Sequence, residues 1–222
     1  MNPEAINPIW INAFTQIFDI SKIFLGAFFG AFCAFEYERR RKRDEERSKQ
    51  TVALRDAQFA LAARINTLLV IHEQHLAPQT NKPDRWVELH PVLNVTTTTV
   101  IPIPELSFLL DDVDPNLLSE LVVARNKFDT VCEIIAYRNE KHEEFQRLFE
   151  KGELSKRLEV QLTDFTDALY DQLPDAVLFL HSVHGKLEQV MLKHFKGINV
   201  LRLGSKAEQM IKEFQQKTKA DV

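Results

Sequence analysis

Two pairs of histidines recur at three-residue spacing, His72 with His75 and His181 with His184, so a helix would carry each pair on one face. Such imidazoles can hold a transition metal when carboxylates complete the set. In helical bundles that set includes Glu-x-x-His from two helices. No Glu in this chain is followed three residues later by His, and both pairs sit in or beside apolar stripes, where a hydrogen-bonded core histidine is the ordinary occupant. No metal site and no cofactor are expected. Cys33 and Cys132 lie far apart and form neither a metal spacing nor a disulfide framework. Phosphate-cradling glycine loops, Gly-x-Ser-x-Gly elbows and His-Glu-x-x-His runs are missing from the sequence. Ser107, Ser119, Ser155 and Ser182 lack the turn context of a nucleophile. The four acids of "DFTDALYDQLPD" fall at helical spacing and read as a solvated face. An enzyme finds no support here.

A different set of residues is aligned along the N-terminal segment. At about 100° per residue, Asn12, Thr15, Asp19, Lys22, Gly26, Gly30 and Cys33 share an arc of roughly 80°. Phenylalanine, isoleucine and leucine cover the other directions. Gly26-x-x-x-Gly30, continued by Ala34, is the small-residue spacing that lets membrane helices approach closely. Asp19 and Lys22, three apart, can reach each other, which lowers the cost of placing either in lipid.

The element that must position this face is a helix. Asn7–Pro8 is a cap followed by proline at the first helical position. From Pro8 to Phe35 there are 28 residues, or about 42 Å at about 1.5 Å each, enough for a bilayer core. A cleaved signal fits badly, because the basic residues follow the apolar run. Lys and Arg number none in residues 1–21 and seven in 39–49. The positive-inside rule therefore puts residues 1–7 outside and everything after the anchor in the cytoplasm of an inner membrane, as a single-pass protein. Arg39, Arg40, Arg41, Lys42 and Arg43 would meet lipid headgroups and set that topology. Besides a buried soluble helix or an interfacial helix that does not cross, two readings of the polar face stay open. An anchor beginning near Gln16 would snorkel Asp19 and Lys22 to the outer surface; alternatively, the face contacts partner helices or lines water in an oligomer.

The 222 residues are 45% hydrophobic and 27% charged, with only six glycines, a balance that favours long helices. Residues 36–50 carry seven Lys/Arg against five Asp/Glu, and residues 51–222 carry 20 against 25. An acidic body argues against direct nucleic-acid binding. No glycine or proline occurs between Ala31 and Ala77, so the membrane helix is expected to continue through a basic juxtamembrane stretch (36–50) into the body (51–222). Leu54, Leu61 and Leu68, flanked by Ala57, Ile65 and Ile71, make a coiled-coil-like packing stripe. A second helix starts at Asp114–Pro115. One of its rows, Leu121, Phe128, Ile135 and Phe149, is broken by His142; the companion row, Leu117, Ala124, Val131 and Phe145, is broken by Arg138; Gly152 ends both. A third helix over 154–173 is kinked or divided at Pro174 from a fourth that closes at Gly197, and a short amphipathic helix spans 206–217. The expected fold is all-α: one transmembrane helix continuing into a cytoplasmic antiparallel bundle. Its one long Pro/Thr-rich connection, residues 77–113, either crosses the end of the bundle or docks a partner near Trp86.

A short outer tail, a single Phe-rich membrane helix and a small helical body resemble the membrane effectors of bacterial antiphage systems, including those encoded with retrons. The resemblance implies a toxin of the abortive-infection type that permeabilises the inner membrane when phage infection releases it from inhibition. It also implies self-association in the bilayer and a cytoplasmic regulatory protein or nucleoprotein partner. The alternative is a membrane-tethered scaffold whose anchor only localises a helical docking module.

Overall fold

The computed structural model describes the backbone of residues 8–220 except 94, 96–98, 113, 154 and 196, and side chains from residue 21 onward except those residues and 23, 111, 112, 219 and 220. Among the described residues every regular element is helical. The chain divides into two compact units, Met1–Lys49 and Gln50–Val222, and the division falls inside the first helix, α1, Pro8–Ile71. The uninterrupted course of α1 follows from the lack of glycine and proline across its second half. Among the described residues no helix is long and apolar enough to cross a membrane. The side chains of residues 8–20 and 23, which would complete the expected span, lie outside that description, as does the outer tail 1–7.

In the second unit, α1 buries Leu54, Ala57, Leu61, Ile65, Leu68 and Ile71. A π-helical turn, His72–Leu76, and a single 3-10 turn, Ala77–Gln79, end it where Pro78 withdraws a backbone donor. The long connection then carries two short helices, α2 (Arg85–Glu88) and α3 (Leu109–Asp112). Helix α4, Pro115–Glu150, begins as its sequence suggests: the Asp114 carboxylate accepts from the amides of Asn116 (3.1 Å) and Leu117 (3.3 Å). It ends in a Schellman motif. Gly152 takes φ +72°, its amide bonds Phe149 O, and the Glu153 amide reaches back to Leu148 O.

The next helix, α5, runs unbroken from Lys156 to His194 with Pro174 inside it. Of the two outcomes expected at Pro174, a kink or a division, the division does not occur. The apolar stripe continues across the proline, with Leu169, Leu173, Ala176, Val177 and Leu180 all buried. Burial on both sides outweighs the roughly 3 kcal/mol that an interior proline costs. The two helices pack antiparallel, since contacts run in opposite directions along them: Tyr137 stacks on Phe165, Lys127 pairs with Asp175, and Glu120 with Lys186. The C-terminal helix α6, Ser205–Ala220, docks through Ala207, Ile211 and Phe214. Phe149, expected in the apolar row, is 61% exposed. It stacks on Phe145, which meets Trp86 edge-to-face, so the last turn of α4 runs beyond the core.

Arg138 and His142, the two breaks in the rows of α4, are both buried. The Arg138 guanidinium donates to Thr166 Oγ1 (3.2 Å), to Trp86 O (3.0 Å) and to Leu89 O, joining α4, α5 and the connection. Next to it, the Asn139 side chain donates to Val92 O (2.9 Å) and accepts from the Val92 amide (3.2 Å), as a neighbouring strand would. Gln58 grips Leu201 in the same two-way manner, at 3.1 and 2.8 Å. Tyr170 donates to Leu76 O at 2.7 Å. Burial pushes Arg138 down to about 10, against a smaller upward effect of Tyr170, so it stays charged at neutral pH.

Phe128, buried beneath Arg64 with the guanidinium carbon 5.2 Å from the ring centroid, should cost about 3–5 kcal/mol when cut to alanine. His142→Leu should leave stability unchanged or raise it, because Nδ1 is buried without a partner. Urea midpoints decide both, and an unchanged midpoint for Phe128→Ala would refute the assigned core face. Arg138→Met keeps much of the side-chain volume but strips the Trp86 and Leu89 carbonyls, at about 1–3 kcal/mol for each buried acceptor left unpaired. Amide exchange at Val87, Glu88, Leu89 and Val92 should then rise ahead of exchange in α4 and α5. Equal exchange in the variant and the parent would show that Arg138 does not hold the connection.

Candidate membrane-contact helix and its basic collar

Phe24, Leu25, Phe28, Phe29, Phe32 and Phe35 occupy one broad side of α1, and every one is exposed, from 57% at Leu25 to 75% at Phe24. Phe28 and Phe29 meet edge-to-face with centroids 6.2 Å apart. At about 1.5–3 kcal/mol per large apolar side chain, burying these six would gain roughly 9–18 kcal/mol. Nothing among the described residues covers them. An apolar surface of this size in water marks an interaction site.

Gly26, Gly30 and Cys33 lie opposite the phenylalanines and are also exposed, as is Lys22. A Cβ built on Gly26 or Gly30 would meet nothing within 4 Å. Neither glycine is required by its own chain, and both leave backbone open to another helix. The side chains of Asn12, Thr15 and Asp19, the rest of the expected polar face, lie outside the described residues.

The basic collar is less free than its composition suggests. Glu36 receives Arg40 (3.2 Å) and Arg43 (3.6 Å), Glu38 pairs with Lys42 (3.0 Å), and Glu45 pairs with Arg41 (2.9 Å). Pairs this exposed add only about 0.3–0.5 kcal/mol each to the helix. They do soften the positive field that Arg39, Arg40, Arg41, Lys42 and Arg43 would otherwise present to anionic lipid. The pairs leave the Lys/Arg count unchanged, and that count, not net charge, is what orients a membrane segment. Tyr37, 72% exposed just beyond Phe35, was missed by the sequence reading. Its position between the apolar run and the charged block is that of an interfacial aromatic.

The other candidate chemistry is built into the fold. His72 lies in the π-helical turn, edge-on to Phe214 with centroids 4.7 Å apart. His181 and His184 line a cavity of about 280 Å³ together with Glu188, Arg202 and Glu208. Among the described residues, no three His, Cys, Asp or Glu side chains converge as a metal site. Burial, helped by Asp129, pushes the Cys132 thiol up to about 11, far from the thiolate a nucleophile needs. Within "DFTDALYDQLPD", Asp167 pairs with Arg85 (2.7 Å) and Asp175 with Lys127 (2.5 Å), so these acids tie elements together. No known protein family, curated protein or solved structure matches this chain.

Proposed function

We propose that the protein is a single-pass effector of the bacterial inner membrane, part of a defence system, that permeabilises the bilayer when a trigger such as phage infection releases it. The observation that carries this reading is the exposed phenylalanine side of α1 with its open glycine face. Lipid covers the phenylalanines. A second copy approaches at Gly26 and Gly30, with Asp19 and Lys22 carried into the bilayer on the same side. A simple anchor needs apolar bulk but no aligned small and polar residues. The scaffold alternative draws on a separate observation: Val52, Phe59 and Val70 form an exposed apolar line along α1 in the second unit, which a docked protein would cover.

Gly30→Leu separates the readings cleanly. A Cβ at this position meets nothing within 4 Å among the described residues, and leucine is the better helix former, so loss of activity reports contact with another helix. In cells overproducing the protein, dye entry and loss of membrane potential should fall to the level of an empty vector with Gly30→Leu. The same should hold for Asp19→Leu combined with Lys22→Leu, while both variants stay in the membrane fraction. Full activity of both variants would leave only the scaffold. Orientation is checked with a reporter fused after Val222, which should be active only in its cytoplasmic form. Activity of a reporter that requires export would reverse the topology.

A further inference from the structure

We propose that α6 is an acid-released latch: protonation of His72 and His184, which stand at the two ends of its docking face, frees Ser205–Ala220 from the bundle. Few contacts hold this helix. Ala207, Ile211 and Phe214 are its buried apolar residues, and Lys206 Nζ reaches Glu73 at 2.6 Å. At one end the His72 ring packs edge-on to Phe214, and its buried Nδ1 has no hydrogen-bond partner among the described residues. At the other end His184, 4% exposed, has an unpartnered buried Nε2 and shares the 280 Å³ cavity with Glu208 in the second turn of α6.

An imidazolium must donate from both ring nitrogens, and here one nitrogen of each ring has no acceptor. Charging either ring in place therefore strands a buried cationic donor. The charged groups facing His72 are Glu73 in its own turn and Glu213 and Lys217 on α6. Those around His184 are His181 and Glu188 on α5, Arg202 before α6, and Glu208. Burial holds both histidines below the ordinary 6.5; Lys217 adds to this at His72 and His181 at His184, against a partial upward pull from Glu213, Glu73 and Glu188. Undocking returns water to the rings, so the released state binds more protons than the docked one. Docking is then complete above pH 6.5 and weakens as pH falls below it. This inference is independent of what the membrane helix does.

Hydrogen exchange on the full chain in detergent, at pH 7.5 and 5.5 and corrected for intrinsic rates, tests the latch. Amides of residues 205–218 should exchange several-fold faster at pH 5.5 than at pH 7.5. Those of α4 and α5 should keep their protection. His72→Gln combined with His184→Gln should abolish the difference. His142→Gln should retain it, because His142 faces Arg138, Gln146 and His90 and not α6. Three results overturn the latch: equal protection of α6 at both pH values, loss of α6 and α4–α5 protection together, or an undiminished pH effect in the double variant. Should the double variant fail to protect α4 and α5 at pH 7.5, the parent chain's own profile still decides between the first two of these results and selective release.

Discussion

Non-helical backbone laid against helices needs hydrogen-bond partners, and helix backbones have none to spare. That constraint shapes the second unit. Its long connection has no ladder among the described residues, so side chains of α4 take the ladder's place there, while α5 reaches the turn that ends α1 and α1 reaches the segment before α6. Arg138 collects two carbonyls of the connection, Asn139 pairs both polar groups of Val92, Tyr170 holds Leu76, and Gln58 holds Leu201. Arg138 stands where a packing row asks for an apolar residue. Among the described residues no carboxylate pairs with Arg138. Carbonyl dipoles offset its burial, and the structure keeps the charge because the carbonyls need a donor.

This explains which parts of the fold were legible. Helix ends were, because caps are local: Asp114 and Gly152 act within a turn or two of themselves. The course of α1 was legible from its composition. Arg138 and His142 were visible only as defects in apolar rows, since the carbonyls that need Arg138 lie roughly 50 residues away in sequence and no local pattern points to them. The division expected at Pro174 fails for the opposite reason. The proline's local cost is real, but tertiary burial on either side decides the outcome.

The candidate site divides along the same line. The Phe-rich side and the small face of α1 are periodic features of one helix, so they can be read directly from spacing. The ion pairs of the collar follow an i, i+4 rule that the sequence already contained, yet counting basic residues alone hid them. The histidine pairs suggested metal chemistry through spacing. Their surroundings, an aromatic edge from Phe214 at His72 and a polar cavity at His184 that Arg202 and Glu208 help to line, draw on segments outside the helix that carries each pair and point to packing and protonation.

The functional account rests on lipid as the cover for Phe24, Phe28 and Phe32. Carbonate extraction of membranes from cells producing the full chain tests it most directly, with Phe24→Gln, Phe28→Gln and Phe32→Gln combined as the comparison. The parent chain should remain in the pellet at pH 11, while the triple variant should move to the soluble fraction. Release of the parent chain by carbonate, with α4 and α5 still folded at neutral pH, would contradict insertion and leave the phenylalanine side to a protein partner.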